Sequence, residues 1–215
     1  MELASTLSKK KVDVAICDIC ILPLERVLGA KVAGAYKGVL DEKGVEWHGG
    51  CTAKRIRGSG KANAVELENG QVLQADAVVI AAGCIPNTKF MEGLDVEKDG
   101  SVKVNDYLQS TQCENVYVAG DCATFPKKFC DDTIQTRIEH WDVAMQHGRV
   151  AAKNICGKKQ AYDTVPFFWT MLWGKSLRYV GHAPEYDDVL VEGDLAKLRF
   201  VAYYCRENDI VAVAT

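Results

Sequence analysis

Apolar residues follow two different spacings in the first part of the chain. Helical spacing marks Met1 to Leu7 and Val32 to Leu40, and a strand is predicted between them at Val12 to Asp18. From Gly49 to Leu73 the pattern changes to short strands separated by glycine turns, with Asn69-Gly70 as a hairpin signal. The first part of the chain therefore predicts a β-α alternation followed by an antiparallel insert.

The second part begins with two apolar runs that are typical of buried parallel strands, Ala75 to Ala82 and Val116 to Ala119. A long helix is predicted from Ile134 to Ile155, with these apolar positions: Ile138, Trp141, Met145, Ala152 and Ile155. From Thr164 onward the pattern predicts antiparallel strands, at Leu177 to Val180, Val189 to Val191, Leu198 to Tyr204 and Ile210 to Ala214.

Composition excludes several classes of function. The 215 residues are 48% hydrophobic, which is enough for a sizeable core, yet the longest apolar run is far shorter than the roughly 20 residues of a membrane span. The net charge of -3, with lysines clustered only in short runs such as Lys9 to Lys11, argues against a nucleic-acid partner. The nine cysteines are scattered and odd in number, which predicts free thiols and no structural metal.

Two carboxylates occupy the ends of predicted strands, where open α/β sheets bind their ligands. Asp18 ends the first predicted strand. A carboxylate at the end of the second strand of a dinucleotide fold typically accepts hydrogen bonds from the adenosine ribose and repels a 2′-phosphate, so in that position Asp18 would favour NADH over NADPH. Gly120 and Asp121 follow the run that ends at Ala119. Gly120 allows a close approach because it has no Cβ, and Asp121 offers an ionised acceptor to a sugar-like hydroxyl. A solvated strand end remains the alternative for both carboxylates.

Three segments resemble the FAD-dependent pyridine-nucleotide oxidoreductases. The stretch from Thr111 to Asp121 is similar to their second flavin segment, and the resemblance implies that Asp121 accepts a hydrogen bond from the FAD ribityl chain. Ile80 to Asn87 resembles the strand whose glycine, here Gly83, lets the cofactor pass close to the main chain, while Cys84 is assigned to packing. Pro23 to Gly29 resembles the ferredoxin-reductase-like branch, where the arginine, here Arg26, contacts the adenosine half of the nicotinamide cofactor.

Two further segments resemble the apoptosis-inducing-factor branch of this family. In that branch a Glu-His pair lies beside the isoalloxazine ring and the nicotinamide carboxamide, which implies cofactor contact for Glu139, His140 and Trp141. A helix N-terminus at this place would stabilise negative charge on the flavin. Pro166 to Thr170 resembles the signature whose tryptophan, here Trp169, shields the flavin from water. Without the resemblance these residues would be interpreted as ordinary partly buried side chains.

The resemblance implies an α/β fold. We expect incomplete, Rossmann-like, three-layer FAD/NAD(P)-binding domains followed by an α+β C-terminal domain with an antiparallel sheet. The expected divisions are an NADH-binding domain at 1–88, the second segment of an FAD-binding domain at 89–160 and a truncated C-terminal interface domain at 161–215. No Gly-x-Gly-x-x-Gly occurs in the sequence. We therefore expect an internal fragment that binds FAD weakly or not at all by itself.

The expected activity of the whole protein is hydride transfer from NADH to FAD, with electrons passing to an iron-sulfur protein or a quinone-like acceptor. No side chain is assigned a catalytic role, because the cofactors carry this chemistry. Two later segments, Trp173 to Gly181 and Gly193 to Val201, look especially like a member-three-type subgroup of the apoptosis-inducing-factor branch. In that subgroup a Rieske 2Fe-2S domain commonly precedes the flavoprotein. The family resemblance favours a mitochondrial location over a cytoplasmic one. It leaves open whether the protein forms a homodimer.

Two alternatives to this activity remain. The first is a redox-sensing cell-death or scaffold flavoprotein without significant turnover, which only the kinship favours. The second is a thiol-disulfide reductase that uses Cys17 and Cys20 as a redox pair. In thioredoxin-reductase-like relatives, the cysteine pair lies before the glycine loop of the nicotinamide site. Here Cys17 and Cys20 lie later, at the end of the strand that would come after such a loop.

Overall fold

The computed structural model describes residues 1–127 and 131–215, without the side chains of residues 131–133. The chain divides into two compact units. The first combines Met1–Ala81 with Trp169–Thr215, and the second is Ala82–Phe168.

The first unit opens with the predicted alternation of helix and strand. Its two strands pair in parallel, with Val14 opposite Val45 and Asp18 opposite Gly49. Ala4, Leu40 and Val45 form a small buried cluster between the helices and this strand pair. The elements are helix α1 (Glu2–Lys9), strand β1 (Val14–Asp18), helix α2 (Glu25–Glu42) and strand β2 (Val45–Gly49).

The predicted antiparallel insert is confirmed as a three-stranded meander. It consists of β3 (Ala53–Ser59), β4 (Lys61–Leu67) and β5 (Val72–Gln74), and the Asn69-Gly70 turn joins the last two strands. Glu66 on β4 accepts hydrogen bonds from the guanidinium groups of Arg57 and Arg55 on β3. These bonds lower the pKa of Glu66 to about 2 and fasten the hairpin.

The second unit is a small mixed sheet covered by one helix. Strand β6 (Val102–Lys103) pairs in parallel with β7 (Ala123–Lys127), and β7 pairs antiparallel with β8 (Asp131–Thr136). Helix α3 (Trp141–Ile155) follows the last strand. A buried cluster that includes Val102, Phe125, Val143, Val150 and Tyr162 forms the core of the unit.

Helix α3 differs from its prediction in both its start and its buried face. It begins at Trp141 rather than Ile134, because residues up to Thr136 belong to β8. Trp141 is 67% exposed and Ile155 is 65% exposed. The buried face is instead formed by Val143, His147, Val150 and Ala151. The predicted apolar positions leave out the two valines that mark this face, and hydrophobic periodicity gives little weight to its histidine and alanine.

Two segments predicted as parallel strands form none. Ala75 to Ala82 pairs with no strand among the described residues, and its apolar side chains Val79 and Ile80 are 69% and 73% exposed. Val116 to Ala119 makes one isolated antiparallel bridge, through Tyr117. An apolar run becomes a strand only where a neighbouring strand supplies its hydrogen bonds, and the run itself does not reveal whether one is present.

The last part of the chain is the predicted antiparallel sheet, with strand order β11-β12-β13-β10-β9. The Tyr204 hydroxyl donates to the Leu28 carbonyl at 2.8 Å, and Lys31 Nζ donates to the Val189 carbonyl at 3.1 Å. These bonds fix α2 to the sheet, which explains why the two sequence-distant parts form one unit. The strands are β9 (Phe167–Leu172), β10 (Lys175–Gly181), β11 (Asp188–Asp194), β12 (Arg199–Arg206) and β13 (Asp209–Ala214).

Gly29 interrupts helix α2 in a conformation that other residues rarely adopt. Its φ is 70° and its ψ is 164°, in a region essentially restricted to glycine. A Cβ at this position would lie 2.1 Å from the hydroxyl oxygen of Tyr186. Gly29 therefore permits both the kink and the close approach of the C-terminal part of the unit.

Replacing Gly29 by alanine should lower the free energy of unfolding by about 2 to 4 kcal/mol, because backbone strain and overlap with Tyr186 add. Urea unfolding followed by tryptophan fluorescence measures the change. The matched control is Gly34→Ala in the same helix, where a Cβ meets nothing within 4 Å. That change should stabilise by about 0.5 to 1 kcal/mol. In a Tyr186→Phe background, Gly29→Ala should cost less, and equal costs in the two backgrounds would contradict the overlap.

Candidate functional site

The loop after β1 is held tightly around Asp18. Asp18 Oδ1 accepts the Cys20 N–H at 2.7 Å, and the Cys20 carbonyl accepts the Gly50 N–H at 3.0 Å. Trp47 Nε1 donates to the Ile21 carbonyl at 2.8 Å. A Cβ on Gly49 would lie 2.2 Å from that carbonyl oxygen, so glycine is required at the end of β2. The strand-end position predicted for Asp18 is confirmed, and its role toward a ribose stays a prediction.

Arg26 lies in the short turn that precedes the Gly29 kink. Leu24 begins this turn with a φ of 62°, and Glu25 Oε2 accepts the Leu22 N–H at 3.0 Å. Arg26 is exposed, and it forms no hydrogen bond or ion pair with any residue in the described ranges. Asp18 and Arg26 thus both lie in the first unit, on segments next to the end of β1, with their charged groups available to a ligand.

The cysteines near this loop do not favour a redox pair formed by Cys17 and Cys20. All cysteines that the structure describes are free thiols. Cys17 is inside β1, and burial together with the neighbouring Cys51 and Asp18 raises its pKa. A raised pKa lowers the thiolate fraction, and the thiolate is the form that attacks disulfides. Among the neighbouring thiols, it is therefore Cys51 and not Cys20 that raises the pKa of Cys17.

The second unit presents Gly120 and Asp121 in a short 3-10 turn, Gly120–Cys122. Gly120 has a φ of 73°, and a Cβ there would lie 3.1 Å from the Ala144 Cβ. The Gly120 N–H donates to His147 Nδ1 at 3.2 Å, and Arg137 Nη1 donates to the Asp121 carbonyl at 3.3 Å. Within the part of the chain that the structure describes, no hydrogen bond or ion pair engages the Asp121 carboxylate. It is therefore available as an acceptor.

The Arg137 guanidinium donates hydrogen bonds to three groups at or near this turn. Besides the Asp121 carbonyl, it donates to Asp99 Oδ2 and to Glu139 Oε1, both at 2.6 Å. Burial alone would raise the pKa of Asp99, but hydrogen bonds from Ser101 and the Arg137 guanidinium outweigh it and lower that pKa to about 2. Arg137 is thus the charged centre that fixes Glu139 near the Asp121 turn.

Gly83 and Cys84 lie at the start of the second unit, outside its helices and strands. Gly83 has a φ of 86°, and nothing lies within 4 Å of the position that a Cβ would take. Cys84 is exposed, so its assignment to packing is wrong. The charge of Glu139 raises the pKa of the Cys84 thiol, with smaller contributions from burial and from the charge of Asp121. This electrostatic influence places the segment beside the same carboxylates.

The aromatic candidates lie at and beyond the start of α3. His140 is the N-cap residue of the helix, and its ring centroid lies 5.8 Å from that of Trp141 and 5.7 Å from that of Phe168. Trp141 is largely exposed, as is Trp169, which lies in β9 of the first unit. The predicted position of Glu139-His140-Trp141 at a helix N-terminus is confirmed, whereas their contact with a cofactor stays a prediction.

Sequence reasoning missed three residues of the second unit that organise the site: Asp99, Arg137 and His147. Arg137 was assigned to a helix interior, where its pairing with Asp99, far away in sequence, could not be anticipated. His147 lies four residues after Val143 and three before Val150. Phasing the helix on those valines would have placed it on the buried face.

Comparison with known proteins identifies relatives over the whole chain. The family model described as pyridine nucleotide-disulphide oxidoreductase matches residues 1–148. Human apoptosis-inducing factor 3 is 35% identical over 218 residues, which cover 100% of this chain and 36% of that protein. Putidaredoxin reductase of Pseudomonas putida is 30% identical over 218 residues, covering 100% of this chain and 51% of the relative. The chain thus spans about a third to a half of these curated relatives.

Solved structures confirm the fold class. The covalent putidaredoxin reductase–putidaredoxin complex matches with a TM-score of 0.90 at 30% identity, over 99% of this chain and 51% of that one. A ferredoxin reductase from Rhodopseudomonas palustris matches with a TM-score of 0.87 at 25% identity, over 98% and 52%. The predicted α/β fold of FAD/NAD(P)-binding reductases, with an antiparallel sheet in the C-terminal part, is therefore confirmed.

The described ranges contain neither a cluster of metal ligands nor a membrane-spanning helix. No group of three or more His, Cys, Asp or Glu side chains there is arranged to hold a metal ion. None of the helices within those ranges combines the length and the apolar composition needed to cross a membrane.

Arg137→Gln should raise the pKa of Asp99 from about 2 toward its ordinary value of 3.8. A lowered pKa in the folded state contributes stability above about pH 4 that is lost as the pH falls toward 2, so the variant should lose part of this acid dependence. Carboxyl-carbon NMR titration measures the pKa. Arg149→Gln, which changes an exposed arginine of the same unit, is the control. Equal Asp99 titrations in wild type and Arg137→Gln would exclude the pairing.

Proposed function

Because the chain belongs to the pyridine nucleotide-disulphide oxidoreductase family, we propose that it is part of an FAD-dependent oxidoreductase that uses NADH. The observation that carries the proposal is the Gly120–Asp121 turn, whose backbone is held by His147 and Arg137 while the Asp121 carboxylate is left without a partner among the described residues. An ionised acceptor that the protein itself does not use is suited to a ligand hydroxyl.

The second unit fits the flavin part of this proposal. Gly120 has a φ that favours glycine, but the space left by its missing Cβ is occupied by Ala144 of α3 rather than open to a ligand. The open space around Gly83 allows a ligand to approach the main chain there. Glu139 and His140 precede the first turn of α3, whose free N–H groups favour negative charge. These residues would hold FAD as the family resemblance implies.

The loop after β1 fits the nicotinamide cofactor. Asp18 uses Oδ1 for the Cys20 N–H, so its remaining lone pairs can accept from ribose hydroxyls. Its negative charge disfavours a 2′-phosphate, which supports NADH over NADPH. The exposed Arg26 offers a cation to the adenosine half of the cofactor, as the family resemblance implies.

The bound cofactors would supply the redox chemistry, which is hydride transfer from the nicotinamide to the flavin. The chain's own residues bind, orient and exclude water, so none is proposed as a nucleophile or general base. Arg137 fixes the Glu139 carboxylate through a bond of 2.6 Å. Trp169 is retained as a flavin-shielding residue only because the family resemblance implies it.

We further propose that electrons leave to an iron-sulfur protein. The structural neighbour that was solved as a complex with putidaredoxin supports an acceptor protein over a free quinone. A Rieske 2Fe-2S domain in the whole protein, a mitochondrial location and a homodimer are extensions of the proposal that rest on kinship with apoptosis-inducing factor 3 alone. The domain division at residues 88 and 160 is likewise retained as a proposal.

Mixing the whole flavoprotein with NADH in a stopped-flow instrument should bleach the visible flavin absorption, and NADPH should do so more slowly because Asp18 repels its 2′-phosphate. Asp18→Ala should reduce the difference between the two cofactors, whereas Asp13→Ala, a change outside the strand end, should leave it unaltered. An NADH-treated flavoprotein that keeps its absorption would refute the enzymatic proposal. Bleaching with turnover well below about 1 per second would favour the sensor or scaffold alternative.

The 215-residue chain by itself should be purified without stoichiometric flavin. Pyrophosphate binding relies on loop amides at helix N-termini, and the chain contains no Gly-x-Gly-x-x-Gly to provide them. An FAD titration followed by flavin fluorescence measures the residual affinity. Asp121→Ala should weaken it about tenfold or more, while Asp163→Ala, which removes another exposed carboxylate, should not. A yellow chain with one flavin per molecule would contradict the expectation.

A further inference from the structure

His147 is a polar side chain in the core of the second unit. It has no exposed surface, and its ring lies edge-on to two aromatic rings, with centroid distances of 4.5 Å to Phe125 and 4.4 Å to Tyr162. Phe125 and Tyr162 also contact each other, at 5.3 Å. A histidine surrounded in this way must be neutral or paired, because a buried charge without a partner is strongly unfavourable.

The hydrogen bond of His147 fixes which tautomer is present. Nδ1 lies 3.2 Å from the Gly120 nitrogen and can only be the acceptor, because the Gly120 N–H is a donor. The proton of the neutral ring is therefore on Nε2, which has no partner among the described residues. Burial lowers the pKa of His147 to about 4, so the acceptor form is the one present at neutral pH.

We propose that His147 is a positioning residue, whose Nδ1 holds the Gly120–Asp121 turn in the conformation that presents the Asp121 carboxylate. The bond places the turn against α3, where Ala144 limits the room beside Gly120. The bond is made between two groups of the chain itself, and only the identity of the ligand as a flavin rests on the proposed function.

This role is distinct from filling space in the core. A leucine could occupy much of the same volume but would leave the buried Gly120 N–H without an acceptor, and buried backbone donors are almost always paired. Glutamine offers a carbonyl acceptor and cannot be protonated. Both substitutions remove the imidazole ring, with its packing and its titration. They differ in whether the Gly120 N–H still has a hydrogen-bond acceptor.

Amide hydrogen exchange at Gly120, measured by NMR on the 215-residue chain, tests the proposal. His147→Leu should accelerate exchange at Gly120 at least about tenfold relative to the Val118 amide, which bonds to the Leu108 carbonyl and serves as the internal reference. His147→Gln should restore most of the protection. Tyr162→Phe removes the other buried unpaired polar atom of the cluster and should leave Gly120 protected.

Equal Gly120-to-Val118 exchange ratios in wild type, His147→Leu and His147→Gln would overturn the proposal, as would a glutamine variant that exchanges like the leucine variant. Should the leucine variant not fold, imidazole nitrogen NMR of wild type decides. The Nε2–H tautomer at neutral pH supports the acceptor role, and an Nδ1–H ring or an imidazolium overturns it. Neither measurement involves FAD. Shifts of the Gly120 and Asp121 amides on adding FAD test the flavin function separately.

Discussion

The candidate site of the second unit depends on how a short backbone turn is held without a regular sheet ladder. Gly120 follows a segment with only one isolated bridge, so strand pairing does not fix its amide. The bond from that amide to His147 takes over this task. Leaving a buried donor unpaired costs about 1 to 3 kcal/mol, which is a large fraction of a domain's net stability. His147 on α3, together with Arg137 at the Asp121 carbonyl, thereby fixes where the Asp121 carboxylate lies.

The ion pairs around Arg137 do not include the Asp121 carboxylate. Arg137 already has two carboxylate partners, Asp99 and Glu139, and it contacts Asp121 through the main-chain carbonyl. An arginine free of such partners could pair with the Asp121 carboxylate and occupy the acceptor that a ligand would need. The network therefore keeps Glu139 fixed and Asp121 available, although the three acidic residues belong to different segments of the chain.

Elements whose partners are close in sequence could be predicted from the residues. The Asn69-Gly70 hairpin, the predicted C-terminal strands and the succession of β1 and α2 are all confirmed, because turn residues and periodicity are local signals. The two apolar runs that failed as strands depend on a neighbouring strand, which a run does not encode. The site residues found from sequence were strand-end carboxylates and motif positions, whereas Arg137 and His147 act through contacts made only after folding.

The two proposed nucleotide sites use their carboxylates differently, and this difference bears on selectivity. Asp18 spends one oxygen on the Cys20 N–H, which orients the carboxylate against its own loop. Asp121 has its backbone fixed from both sides but its carboxylate unbound within the described residues. A preoriented acceptor loses little conformational entropy on binding and rejects a misplaced phosphate by charge, which suits discrimination between NADH and NADPH. An unengaged acceptor on a fixed turn can instead adjust its rotamer to one hydroxyl of a flexible chain, as a ribityl group requires.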